Sequence, residues 1–228
     1  MMKLSLEQTR HAMGIAEYHG PRSQMMRCID HSTMLKDGSG WGALCGVSAA
    51  RMAKAGFTGA PALTLQTKHW HDLGENWLIT KQYFKPYPVC RWAQAPIAAV
   101  LDLKQTYDFS STDVASVHIT SFYEAVRLGQ KKVTNTEEAQ YSTSFPCAIA
   151  LVHGDILPEH IADDALKDPE IQRLSSVLTI SEDDHANLVF PGSRLARADI
   201  TLKTGQVLSS TWFEPKWDAV SYTHLTLP

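Results

Sequence analysis

The spacing of apolar residues changes along the chain, and this change constrains the fold more than any other feature. Up to about residue 60 the apolar positions recur with helical spacing, most clearly over residues 42–56. Further on, segments such as residues 115–122 alternate between apolar and polar side chains, as half-buried strands do. The sequence therefore predicts an α+β protein in which a helical part precedes a mixed part.

In the helical part, residues 42–56 are rich in small side chains, which let a neighbouring helix approach closely, and Gly56 supplies a stop signal. Residues 3–18 fit a helix imperfectly, and we expect no good cap at its start. In the mixed part, the pattern predicts helices over residues 95–103, 137–152, 158–165 and 168–175, and strands over residues 115–122, 177–181, 196–202 and 207–212. Residues 203–206 predict a hairpin turn between the last two strands.

Composition and charge exclude several classes of protein. The formal net charge of −3 provides no basic surface for nucleic acid or an anionic membrane. No apolar run approaches the roughly 18 to 20 residues of a spanning helix, and the first ten residues lack the pattern of a secretory signal. The four cysteines are far apart and form no CxxC pair, so we expect reduced thiols in a cytoplasmic protein.

Standard nucleotide-binding, serine-hydrolase and zinc-protease motifs are absent from the sequence. His69 and His71 are the closest pair of potential metal ligands, but two imidazoles alone make an incomplete site. Alternate residues of an exposed segment explain the pair about as well. We therefore expect no metal at this pair.

Two stretches are denser in polar residues than a plain core requires. Residues 18–41 carry His19, Arg22, His31 and Lys36 before a glycine-rich helix start, whose free N–H groups suit a carboxylate. A loop with solvated charges between two helices is the alternative. In residues 83–94, two prolines stiffen the backbone around Lys85, Tyr87 and Arg91. The alternative is an ordinary surface lysine beside a turn, and the residues alone leave both pairs of alternatives open.

Four blocks of sequence resemble the MmgE/PrpD family, in the order and at the spacing that its members show. These blocks are GIAEYHGPRSQMMRCIDHSTMLKDGSGWGALCGVSAARMAKAGFTGAPA, FKPYPVCRWAQAPI, EEAQYSTSFPCAIALVHGDI and DPEIQRL. The family includes 2-methylcitrate dehydratase and cis-aconitate decarboxylase. The resemblance implies a large helical domain and a smaller α+β lid with the active site in the cleft between, in a homodimer that acts on a small polycarboxylate without a cofactor.

The resemblance also implies a division into domains. Residues 1–60 correspond to the C-terminal part of the first segment of the helical domain, and residues 61–213 to the lid. Residues 214–228 begin a return segment, of which residues 220–228 are interpreted as a non-native tail because they show neither a cap nor a periodic face. Family members are longer than this chain, which the resemblance identifies as an internal piece.

Site residues follow from the same resemblance. Lys36 and Lys85 match the family's two active-site lysines and are the expected catalytic residues, whereas the expected substrate-binding residues are His19, Arg22, His31, Tyr87 and Arg91. Cys90 stands where some members carry a histidine, and the family's principal histidines correspond to sequence before residue 1. Dehydration requires a base, an acid and cations against an enolate-like carboxylate, and lysines can supply the cations.

Three alternatives remain. The first is decarboxylation or epimerisation of a small di- or tricarboxylate, because these reactions handle a proton beside a carboxylate in the same way. The second is an inactive module that binds carboxylates or forms dimers, and the third is a misfolded partial product with exposed apolar surface.

Overall fold

The computed structural model describes residues 2–36, 38–129 and 132–217, apart from the side chains of His69 and Lys81. The chain forms two compact units, Met1–Lys81 and Gln82–Pro228. The predicted domain boundary at residue 60 stays a prediction, and the suspected tail at 220–228 lies outside the described residues. No helix in the described part of the chain is long and apolar enough to cross a membrane.

All regular elements described in the first unit are helices. They are α1 (Leu6–His19), α2 (Met25–Asp30), α3 (Ser39–Lys54) and short 3-10 helices at Leu63–Gln66, Lys68–Trp70 and Leu78–Lys81. Helices α1 and α3 pack against each other, and a cluster of buried residues is formed by Ala12, Ile15, Ala49 and Ala53.

The expectation that α1 is poorly capped is wrong. Ser5 is its N-cap, with the Ser5 hydroxyl accepting from the Gln8 amide while the Gln8 side chain accepts from the Ser5 amide. This reciprocal capping box satisfies two of the donors that a helix start leaves unpaired. The segment around Ala60 also packs closely against α1, because a Cβ at Gly14 would overlap the carbonyl oxygen of Ala60.

Helix α3 confirms the small-residue helix, although it begins three residues earlier than predicted. Gly56 follows its end with φ of +93°, and the Phe57 amide donates to the Met52 carbonyl over 3.0 Å, which closes the helix as the stop signal predicted. Only part of the small face has a partner. A Cβ at Gly42 or Gly46 would have no neighbour within 4 Å in the described residues.

The second unit is α+β, as the sequence predicts. Its elements are α4 (Gln94–Thr106), β1 (Val114–Ser121), α5 (Tyr123–Leu128), α6 (Thr136–Gln140), α7 (Ser144–His153), α8 (Pro169–Ser176), β2 (Leu178–Glu182), α9 (Asp184–Val189), β3 (Arg197–Leu202) and β4 (Val207–Ser209). Short 3-10 helices lie at Arg91–Ala93, Ser111–Asp113, Pro158–Ile161 and Ala165–Lys167.

The four strands form one sheet in the order β2-β1-β3-β4, in which β1 and β2 are parallel and the other pairs antiparallel. Helices α4 and α8 pack against the sheet and α7 packs against both helices, so Val117, Ile119 and Ile200 are buried. His118 lies between the buried residues Val117 and Ile119 of β1. Its Nδ1 atom is 2.8 Å from Thr179 Oγ1, and its Nε2 atom is 2.9 Å from Ser181 Oγ, both on β2.

The hairpin turn is confirmed, with Gly205 at φ of +88° between β3 and a β4 that is shorter than predicted. The single helix predicted over residues 137–152 is wrong, since α6 and α7 are separate. Pro146 explains the break, because a continuous helix would leave the Ser142 carbonyl without the amide donor that proline lacks. The predicted helix at 158–165 is replaced by 3-10 turns, whereas α8 forms with Asp168 as its N-cap.

Arg173 links α8 to Ser111 and to Val114, the first residue of β1. Its guanidinium donates to the carbonyls of Val114 and Ser111 over 3.0 Å each and to both carboxylate oxygens of Glu170 over 2.8 Å. The hydrogen bonds from Arg173 lower the pKa of Glu170, and the same contact raises the pKa of Arg173.

Replacing Arg173 by methionine should lower the free energy of unfolding by about 1–3 kcal/mol at neutral pH, because two carbonyls lose their charged donor. The Glu170 share of this difference is fully present above the unfolded carboxyl pKa of about 4.3 and is lost as the pH falls through the lowered folded value. Urea denaturation at pH 7 and pH 3 would measure both effects. Lys167→Met, at a side chain 81% exposed, is the control; equal losses in the two variants would contradict the assignment.

Candidate functional site

The expected catalytic lysine of the second unit lies on a segment whose backbone is fixed at both ends. The Phe84 amide donates to the Trp217 carbonyl over 3.3 Å, and the Cys90 amide donates to the Gln140 carbonyl over 2.8 Å. Between them, the Lys85 side chain is exposed and makes no hydrogen bond or ion pair with any residue that the structure describes. A rigid backbone therefore presents a lysine whose cation is available to a ligand.

The buried side chain of Gln94, the first residue of α4, forms hydrogen bonds with the backbone of residues 87–90. Its side chain is 1% exposed. The Gln94 amide nitrogen donates to the carbonyls of Tyr87, Val89 and Cys90 over 3.1, 3.3 and 3.4 Å, and its carbonyl oxygen accepts from the Tyr87 amide over 3.3 Å. Prolines cannot donate to a sheet or helix, so the backbone around them depends on such side-chain partners.

Tyr87 and Arg91, both expected to bind substrate, occupy different environments. Tyr87 is 8% exposed. Burial, and then the negative charge of Asp155, raise the pKa of Tyr87, so its phenol stays protonated at neutral pH. Arg91 is half-buried, and its guanidinium carbon lies 3.4 Å from the centre of the Tyr83 ring, within the range of a cation–π contact. Their binding roles stay predictions.

The other predicted site residues belong to the first unit, where all of them are exposed. His19 ends α1 and packs edge-on against Tyr18 with 5.2 Å between ring centres, and His31 follows α2. Arg22 lies between these two helices, and Lys36 lies three residues before α3. The structure thus places the four residues on the connections around α2, and their roles stay predictions.

Among the described residues, no three His, Cys, Asp or Glu side chains come together in a way that could hold a metal. Cys90, which stands where some family members carry a histidine, is half-buried and forms no disulfide with the described residues, and its amide donates to the Gln140 carbonyl. The expectation that the protein works without metal or cofactor stays a prediction.

Four residues that fix or surround the Lys85 segment were not predicted from the sequence, namely Gln94, Gln140, Asp155 and Trp217. For Gln94 a signal existed, because this glutamine directly precedes the apolar run of residues 95–101. The other three act over long separations, two of them through main-chain carbonyls that any residue possesses. The contribution of Gln140 and Trp217 therefore leaves no trace in side-chain chemistry.

Replacing Gln94 by leucine should lower the free energy of unfolding by about 2 kcal/mol, because the buried carbonyls that it serves lose their donor. The same change should loosen residues 84–91. Thermal denaturation would measure the first effect, and hydrogen exchange at the Tyr87 and Cys90 amides the second. Gln206→Leu, at an exposed turn, is the control; unchanged exchange in Gln94→Leu would contradict the role given to this side chain.

Comparison with known proteins places this arrangement in a family. A model of the MmgE/PrpD C-terminal domain matches residues 87–217, which is more than half of the chain. The chain belongs to the MmgE/PrpD family. The matched region begins at Tyr87 and contains Arg91, Gln94 and the whole sheet.

A curated relative within this family is the mitochondrial 2-methylcitrate dehydratase of Yarrowia lipolytica. It is 27% identical over 235 aligned positions, which cover 91% of this chain and 45% of the relative. The chain therefore spans less than half the length of the relative that it matches, and the alignment extends over both compact units.

Proposed function

We propose that the complete protein is a metal-independent hydro-lyase of the 2-methylcitrate dehydratase type that acts on a small polycarboxylate. Membership of the MmgE/PrpD family and the likeness to a 2-methylcitrate dehydratase support this assignment. The observation that carries it is Lys85, an exposed lysine without a partner among the described residues, on a segment fixed by buried hydrogen bonds.

Chemically, loss of water from a hydroxy tricarboxylate develops negative charge on the carboxylate beside the carbon that loses its proton. A lysine ammonium placed at that carboxylate stabilises the charge, and this electrostatic term is often the largest in such reactions. We assign this role to Lys36 and Lys85. His19, Arg22, His31 and Arg91 are proposed to bind the remaining carboxylates, because histidine and arginine donate charge-assisted hydrogen bonds.

Tyr87 has a different proposed role in binding. Its raised pKa keeps the phenol neutral, so it can donate a hydrogen bond to substrate but does not add a charge. We further propose that residues 1–60 belong to a larger helical domain and that the complete protein is a homodimer. A cytoplasmic location stays a prediction; the name of the relative places that protein in mitochondria.

Product analysis of the complete protein tests the proposal. Methylcitrate, citrate, cis-aconitate and smaller hydroxy acids would each be incubated with enzyme and followed by proton NMR, before and after dialysis against a chelator. We expect a vinylic product from a hydroxy tricarboxylate at a rate that the chelator does not change. Release of CO₂, or inversion of a stereocentre alone, would replace this assignment by the decarboxylase or epimerase alternative. Binding without turnover would favour the inactive module.

A further inference from the structure

A cavity of about 410 Å³ lies within the first unit, between α1 and the segment 59–66. Arg10, His11 and Met13 line it from α1. The opposite wall is formed by Gly59, by the polar residue Gln66 and by apolar residues, namely Ala60, Pro61, Ala62 and Leu65. Its size falls in the range of small-molecule sites, and at roughly 30 Å³ for each water-sized group it has room for about a dozen non-hydrogen atoms.

The wall of this cavity is held firmly in place. A Cβ at Gly59 would lie 2.6 Å from the His11 carbonyl oxygen, so the segment crosses α1 at a distance that only glycine permits. His11 Nδ1 lies 3.2 Å from both the Gly59 amide nitrogen and the Gly59 carbonyl oxygen, so the ring contacts Gly59 in either neutral tautomer.

The polar groups of the cavity favour an anion. Arg10 is exposed and has no ion pair or hydrogen bond with the residues that the structure describes. The Nε2 atom of His11 is 3.9 Å from the carboxylate of Glu7, whose side chain is 87% exposed, and this separation is too long for a hydrogen bond. One guanidinium is therefore available beside a largely apolar wall.

The apolar part of the lining is itself solvent-exposed in the absence of a ligand. Met13 is 40% and Leu65 38% exposed. Covering such side chains is favourable in proportion to the apolar area removed from water. A ligand that suits both kinds of wall thus has a carboxylate at one end and a short hydrocarbon body at the other.

We propose that this cavity is a binding site for a small monocarboxylate with an apolar body, separate from Lys36. Lys36 precedes α3, whereas Gly59 follows it, and the 16 residues of this helix span about 24 Å. The site does not depend on the proposed lyase activity, because it uses neither Lys36 nor Lys85.

Titration of the full 228-residue chain with hexanoate tests the proposal, with hexanamide as the neutral ligand of equal size. Isothermal calorimetry and ligand-observed NMR would give the affinities. We expect hexanoate to bind at least about tenfold more tightly than hexanamide, and Arg10→Met to remove that preference, since each tenfold corresponds to the loss of about one good charged contact. Arg51→Met, an exposed arginine of α3 outside the cavity, should bind hexanoate as the unchanged chain does.

A second variant keeps the test decisive if Arg10→Met is poorly folded. Leu65→Glu places a negative charge on the apolar wall at an exposed position, and it should weaken hexanoate binding at least about tenfold through like-charge repulsion and lost apolar contact. Equal affinity for hexanoate and hexanamide, unchanged binding in both variants, or no binding of hexanoate at all would each overturn the proposal. Loss of lyase activity in the complete protein would leave these titrations unaffected.

Discussion

Replacing Lys85 by alanine in the complete protein should lower kcat/KM by at least about tenfold to a hundredfold, and Lys36→Ala should have an effect of the same size. Either change removes a cation proposed to face the carboxylate on which charge develops. Steady-state kinetics with the substrate identified by product analysis would measure it. Unchanged kcat/KM in both variants would overturn the assignment of these lysines.

Two further variants sharpen this experiment. Lys167→Ala removes an exposed lysine of the same unit that pairs only with Asp164, over 3.7 Å, in the described structure, and it should leave kcat/KM unchanged. Lys85→Arg retains the positive charge but cannot give up a proton near neutral pH. Substantial activity in Lys85→Arg would favour a purely electrostatic role, whereas a loss equal to that of Lys85→Ala would favour proton transfer or a geometric need that arginine cannot meet.

Placing alanine at Gly14 should lower the free energy of unfolding by about 2–3 kcal/mol, because the added Cβ overlaps the Ala60 carbonyl oxygen and the backbone must move. The segment at residues 59–62 would then separate from α1. Urea denaturation measures the overall effect, and hydrogen exchange of the α1 amides shows whether the first unit loses protection.

Gly46→Ala is the matched control for that experiment. It is also a helical glycine of the first unit, but its Cβ would meet nothing within 4 Å among the described residues. Removing a glycine from a helix interior should therefore raise stability by about 0.5–1 kcal/mol. If both variants changed stability in the same direction and by similar amounts, the close packing between α1 and Ala60 would be disproved.

Local signals in the sequence predicted the fold class and most elements. The Asp-Pro pair at the start of α8, the glycine after α3 and the turn glycine of the last hairpin each act within a few residues. The capping box at Ser5 is equally local. The serine and the glutamine three residues later are its signature, so the cap of α1 could have been predicted from the sequence.

Elements that depend on tertiary contacts were harder to predict. Pro146 signals the break between α6 and α7 locally, but the hydrogen bond from the Cys90 amide to the Gln140 carbonyl joins residues 50 positions apart and has no local signal. At the candidate site, the residue types of Lys85, Tyr87 and Arg91 suggested chemistry. That Tyr87 is buried while Lys85 is exposed follows from the packing around Gln94, and no spacing of residues reveals it.

The contacts of His118 help to set the register of the edge strand β2 against β1. No hairpin connects β1 to β2, so no tight turn sets their register, and only five residue pairs align them. In this alignment the imidazole contacts both Thr179 and Ser181. A slip of two residues would bring Val177 or Asp183 in place of one of these hydroxyls, and the Asp183 carboxylate already caps α9. One histidine thus discriminates between alignments that the alternation of apolar residues treats as equivalent.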